Sequence, residues 1–217
     1  MFRLILSDLH LGRGKFGKMG DINPYEDFTD EESFAEFLRY FSTGRYEGEE
    51  AEIILNGDVF DLIKTAVEGN PGKTEITEDD VLEAAFETMN GHPLFFEALN
   101  EFFSKRKGGK IVFIVGNHDQ PVLHPEVQRM IRERLECNLL FSTFYDFGNV
   151  HCEHGHNMEF IHTYNPSDIW YRKDGKRILK MPWGSHFVVQ VIVPLKEKLP
   201  VVDKIKPFGT YLKWGFF

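Results

Sequence analysis

Four stretches of the chain place metal-capable side chains directly after an apolar run. They read Ser7-Asp8-Leu9-His10, Asn56-Gly57-Asp58-Val59-Phe60-Asp61, Gly116-Asn117-His118-Asp119 and Glu153-His154-Gly155-His156. Asp8 and His10 stand two apart, so on an extended segment their side chains leave on one side, offering a hard oxygen and a borderline nitrogen to one ion. Gly57 and Gly155 each permit a sharp bend beside a candidate ligand. Oxygen, imidazole and amide groups in this number exceed what one four-coordinate ion requires, and a carboxylate such as Asp58 can bridge two. Two divalent cations held about 3.5 to 4 Å apart form a clamp for in-line displacement at phosphorus.

Each cluster needs an element to hold it. Ile111 to Val115 is a β-branched, apolar run of five residues, bounded by turn formers, and reads as a strand buried on both faces of a parallel or mixed sheet. Phe2 to Leu6, Ala51 to Leu55 and Val150 to Cys152 read as the other three strands, and ligands of open α/β sheets gather at such C-terminal ends. Between them, Asp30, Glu31 and Glu32 open a helix with Phe34, Phe37, Leu38 and Phe41 at helical spacing. Leu82, Ala85, Phe86 and Met89 form the apolar stripe of a second helix. After the Asn90-Gly91-His92-Pro93 break, Phe95, Ala98, Leu99 and Phe102 form that of a third. Val127, Met130, Ile131 and Leu135 mark a fourth helix, followed by short strands at Asn138 to Phe141 and Thr143 to Phe147. Gly12 to Asp27 and Gly69 to Glu78 read as loops.

The 217 residues suit one large domain or a domain with an appendage, and 42% hydrophobic residues with 21 Phe can fill one core. The formal net charge of -9 argues against stable nucleic-acid binding, which rests on Lys and Arg; an acidic protein that handles phosphate needs metal ions for positive charge. No window of about 18 residues is free of charge and no signal-peptide pattern opens the chain, so a cytoplasmic protein is expected. Cys137 and Cys152 read as reduced, buried thiols. His92 and His124, each before a proline, read as structural or solvent-facing, and His151 as packing rather than ligating.

Asp8-Leu9-His10, Gly57-Asp58-x-x-Asp61, Gly116-Asn117-His118-Asp119 and the later histidines, in this order, resemble the calcineurin-like metallophosphoesterase superfamily over roughly residues 1 to 156. The resemblance implies an α/β fold, a metallophosphoesterase-type sandwich of two β-sheets flanked by helices, with a binuclear centre at the strand ends. The implied ions are manganese foremost, with iron, zinc, nickel or magnesium as alternatives. Residue by residue, Asp8 and His10 would bind one ion, Asp58 would bridge, and Asn117 and His154 would bind the other. The implied reaction is hydrolysis of a phosphomonoester, phosphodiester or pyrophosphate bond by a hydroxide bridging the ions. His118 would protonate the leaving oxygen and Asp61 would orient it, because a carboxylate favours imidazolium and fixes the ring. Asp119 is expected behind the ligands. A non-catalytic binding scaffold on the same fold is the alternative.

Two departures from the family pattern stand out. No closing Gly-His-x-His follows His156; His162 and His186 stand alone. Either His154-Gly155-His156 serves for both histidine motifs, or, the preferred reading, the chain is cut before a last strand carrying the closing one. On that reading His156 is a ligand or a neighbour of ligands. The chain ends on aromatic residues from Tyr211 to Phe217, which fits a truncated fold lacking its last strands. Second, the chain looks similar to bacterial UDP-2,3-diacylglucosamine hydrolases, which implies a core over residues 1–160 and a helical cap over 161–217. A cap with Trp170, Tyr171, Trp183, Phe187 and Trp214 would suit a lipid-linked as well as a small-molecule phosphate ester, with peripheral membrane contact. Arg172, Lys173, Lys176, Arg177 and Lys180 would then recognise phosphate or form a solvated basic face. Those lipid enzymes typically carry Arg at the position of His118, which fits a general phosphatase or phosphodiesterase equally well. Phe187 to Leu195 is expected to be helical.

Overall fold

A computed structural model describes residues 1–17, 20–70, 72–106 and 108–199; Trp214 and the rest of the aromatic tail lie outside the described residues. Four strands, β1 (Phe2–Leu6), β2 (Ala51–Asn56), β3 (Gly109–Ile114) and β4 (Asn138–Ser142), pair in parallel in the order β1-β2-β3-β4. Side chains alternate between the faces of a strand, and here both faces of the central strands are covered. Leu4, Ile53, Leu55, Ile111, Phe113 and Val115 belong to one buried cluster with the helices; Ile54, Val112 and Ile114 belong to a second.

The first face carries α1 (Glu31–Tyr40), α2 (Leu62–Thr65), α3 (Glu78–Gly91), α4 (Pro93–Ser104) and α5 (Pro125–Arg134), all within the inter-strand connections. Asp30 caps α1 by accepting from the Ser33 N–H, and Thr77 with Asp80 makes a capping box on α3. The α4 stripe of Phe95, Ala98, Leu99 and Phe102 is buried. The α3 stripe differs from its expectation: the buried face is Val81, Ala84, Ala85, Thr88 and Met89, and Phe86 is exposed. The short residues on that face let α3 lie close to its neighbours, which turns the bulky Phe86 to solvent.

The second face is covered by an antiparallel hairpin, β5 (Phe144–Phe147) and β6 (Val150–Glu153), which contributes Cys152, Tyr145 and Phe147. The second sheet of the sandwich therefore holds two strands among the described residues. Both cysteines are free thiols. His151 lies on the exposed side of β6, stacked on Phe144 and paired with Asp146, so it neither packs in the core nor reaches the cluster of strand-end ligands.

Between residues 161 and 199 the chain is only partly helical. Trp170–Lys173 (β7) and Lys176–Leu179 (β8) form a second hairpin, turned by Asp174 and Gly175, both at positive φ, as an Asp-Gly hairpin turn requires. Trp183–Phe187 (α6), a π-helical turn Val188–Ile192 and Val193–Lys196 (α7) run on from it, so the helical expectation for Phe187 to Leu195 holds. Ile169, Leu179, Val189 and Val193 join the main buried cluster.

The loop from Gly12 to Phe28 is fastened by one buried acid. Glu26 accepts the N–H groups of Gly12, Gly14 and Phe28, and His92 bridges it to Glu31 at 3.2 and 3.0 Å. Burial disfavours a charged His92, but Glu26 and Glu31 outweigh it and push its pKa from 6.5 up to about 9. The stabilisation from His92 is thus complete below pH 6.5 and is lost as pH rises through about 9. Replacing His92 by Phe is expected to cost about 3 kcal/mol near pH 6. The gap to the parent chain should close toward pH 9; urea titrations at both pH values check it, and a pH-independent gap contradicts the pairing.

Candidate metal centre

The clusters at the ends of β1, β2 and β3 meet because the loops behind them are tied together. Asp8 N–H donates to Gly57 O, His10 N–H to Asp58 O, Leu11 N–H to Val59 O and Asp61 N–H to Leu11 O, at 2.9 to 3.1 Å. Asp119, fully buried, accepts from Val59 N–H (3.1 Å), Phe60 N–H (2.7 Å) and Gly116 N–H (3.2 Å), stapling the β2 loop to the β3 loop. Tyr164 closes the same corner by donating its hydroxyl to Gly116 O at 3.0 Å.

Asp8, His10 and Asp58 take φ values of 55°, 54° and 51°, a left-handed conformation rare outside glycine and costing about 1 to 3 kcal/mol each. The segment after β1 is therefore not extended. Ligand atoms of Asp8, Asp58 and His154 lie within 4.8 Å of one another, as do those of His10, Asp58 and His118. Asp58 belongs to both groups.

The Asp58 carboxylate is buried. It accepts the His118 backbone N–H at 2.9 Å through Oδ1, while Oδ2 lies 3.3 Å from His154 Nε2 and 3.9 Å from His10 Nε2. Burial opposes its ionisation, but the His154 hydrogen bond and the charges of His118, His154 and His10 hold its pKa down at about 2. His154 is oriented by Asn56, whose carbonyl accepts from Nδ1 at 3.0 Å, and is pushed up to about 9 by Asp58 against the effect of burial. It arrives from β6 on the covering hairpin, not from the parallel sheet, whose fourth strand ends in Ser142. Asp119 is raised to about 7, by burial first and then by Asp58.

Asn117 is buried among these loops. His118 donates Nδ1–H to Asp61 Oδ1 at 2.8 Å, and its ring meets His10 edge-on at 4.8 Å. Burial disfavours its charge; the Asp61 carboxylate prevails and raises it to about 9. His156 is buried, stacked flat on Tyr164 at 5.0 Å and 5.5 Å from His154, with neither ring nitrogen hydrogen-bonded. Burial, then the His154 charge, lowers its pKa to about 4. Carboxylates and imidazoles converging on one shared buried acid form a donor set suited to divalent cations, and cation binding would displace the protons these histidines otherwise hold.

Sequence reasoning missed Lys64, Tyr164 and the staple made by Asp119. Lys64 follows Asp61 by three residues, a helical spacing that brings an acid and a base together; Tyr164 carries no such local signal. Of the basic residues from Arg172 to Lys180, Lys173 pairs with Glu75, Arg177 with Glu78 and Lys180 with Asp168.

A family model described as calcineurin-like phosphoesterase matches residues 3–190 of the chain. Comparison with curated proteins and with solved structures yields no match.

Gly57 sits at φ +83°, and a Cβ there would stand 2.3 Å from the His154 ring. Gly57→Ala is expected to lower stability by about 1 kcal/mol or more and to weaken divalent-cation binding about 10-fold to 100-fold by displacing His154. Thermal unfolding and titration with divalent cations check both; unchanged affinity contradicts the assigned geometry.

Proposed function

The chain belongs to the calcineurin-like phosphoesterase family of metal-dependent phosphoric ester hydrolases, and from that premise we propose a binuclear phosphoesterase in which Asp58 bridges two cation sites. The observation that carries this reading is the sharing of Asp58 between two ligand groups. Asp8 and His154 complete one site and His10 the other, with Asn117 as a further ligand; this partition differs from one that pairs Asp8 with His10. His156, neutral and buried behind His154, stands ready to ligate or to shape the ring beside it. Divalent cations held there supply Lewis acidity that polarises phosphoryl oxygens and brings water's pKa toward neutrality.

His118 is the proton donor to the leaving oxygen. Its Nδ1–H is fixed on Asp61, which leaves the other ring nitrogen to deliver a proton, and the ring is charged at neutral pH. A His118 nitrogen also falls in the group with His10 and Asp58, so a ligand role competes with the donor role. No helix among the described residues is long and apolar enough to cross a membrane. The substrate is a phosphate ester; three of the five cations around the hairpin that a nucleotide-linked lipid would enlist, Lys173, Arg177 and Lys180, are paired with Glu75, Glu78 and Asp168. This favours a small-molecule monoester or diester, with manganese the first ion to try.

Hydrolysis of p-nitrophenyl phosphate and its bis-ester, before and after chelation, tests the activity, and turnover that survives chelation contradicts it. With phenyl phosphate, whose leaving oxygen needs a proton, His118→Asn is expected to lower turnover about 10²-fold or more with metal content unchanged. Lost metal would assign His118 as a ligand instead, and unchanged turnover would remove it from the chemistry.

A further inference from the structure

Behind His118 lies a chain of buried charges that the strand-end motifs do not contain. Asp61 accepts from His118 through Oδ1 at 2.8 Å and from Lys64 Nζ through Oδ2 at 2.6 Å. Lys64 also donates to Asp27 Oδ2 at 2.6 Å, and Lys196 of α7 donates to both oxygens of Asp27 at 3.0 and 2.9 Å. The two lysine side chains are 3% and 0% exposed. Burying two ammonium groups is costly, and the ion pairs offset the cost only because every charge has a close partner. Burial disfavours the charge on Lys64, but Asp61 and Asp27 together raise its pKa above the ordinary lysine value.

The geometry shows what this chain does for Asp61. Its Oδ2 lies 2.6 Å from Lys64 but also 3.4 Å from His10 Nδ1, so two groups compete for the same oxygen. With Lys64 in place, its ammonium is the nearer partner of Oδ2 and Oδ1 is aimed at His118. Without Lys64, the carboxylate is free to rotate toward His10 and release the His118 ring. We propose that Lys64 is a positioning residue for the hydrolysis, acting through Asp61 to hold His118 over the leaving oxygen, with Asp27 and Lys196 fixing Lys64 in turn. The proposal rests on the reading of His118 as proton donor. It also gives α6, α7 and the π-helical turn between them a task at the site, since that helical run packs against α2, which carries Lys64.

The test compares aryl esters with good and poor leaving groups, because a proton donor matters little to p-nitrophenolate and much to phenolate. In the full-length, manganese-loaded enzyme, Lys64→Met is expected to slow the phenyl ester about 10-fold more than the p-nitrophenyl ester, as His118→Asn should. Lys64→Gln keeps a donor to Asp61, serves if the Met variant does not fold, and should show the same bias in weaker form. Asp27→Asn, which loosens Lys64 but leaves its contact with Asp61 in place, should show the same bias in weaker form. In the metal-free protein, the downfield proton resonance of His118 Nδ1–H should persist in Asp27→Asn and be lost in Lys64→Met, or weakened in Lys64→Gln. Equal slowing of both esters by the Lys64 variants, with His118→Asn still discriminating, overturns the proposal alone. No discrimination by His118→Asn overturns the donor reading and the proposal with it.

Discussion

A carboxylate buried as deeply as Asp58 is tolerated only where partners replace the water it has lost. Each partner here comes from a different part of the chain: His10 from the loop after β1, the His118 N–H from the loop after β3, and His154 from the covering hairpin. Their charges hold Asp58 ionised against its burial, and Asp58 in return holds His154 protonated in the absence of metal. The site is thus closed electrostatically before any cation arrives. Cations would replace protons at a constellation whose geometry is already set, so little reorganisation accompanies binding.

That geometry carries a backbone cost which the rest of the fold offsets. Three residues of the site, Asp8, His10 and Asp58, sit in left-handed conformations that each cost about 1 to 3 kcal/mol. The ladder from Asp8 N–H to Asp61 N–H, the Asp119 staple and the Glu26 to His92 clamp fix the loops that would otherwise relax. Gly116 lets β3 come within touching distance of Asp58, where a Cβ would fall 2.2 Å from Oδ1. Three left-handed residues, the Asp119 staple and the close approaches of Gly57 and Gly116 thus meet at the strand ends.

Local patterns in the sequence reveal the frame and most of the residues that meet at the strand ends. Apolar runs followed by Asp, Asn or His mark β1, β2, β3 and β6, and helical periodicity finds α1, α4 and α5. Phe86 misleads because one apolar residue can satisfy helical spacing on the wrong edge of a stripe. Lys173-Asp174-Gly175-Lys176 carries a hairpin signal that a reading centred on a helical cap passes over. The left-handed backbone of Asp8, His10 and Asp58 is hidden for a different reason: spacing rules assume an extended chain. Contacts such as Glu26 to His92, 66 residues apart, or Lys196 to Asp27, 169 apart, leave no local trace at all.

The central claim is that one carboxylate, Asp58, is shared by two cation sites. Anomalous diffraction from crystals of the protein grown with manganese tests it most directly. The account predicts two peaks about 3.5 to 4 Å apart, flanking the Asp58 carboxylate, one beside Asp8 and His154 and the other beside His10. A single peak, or two peaks that do not share Asp58, would contradict it.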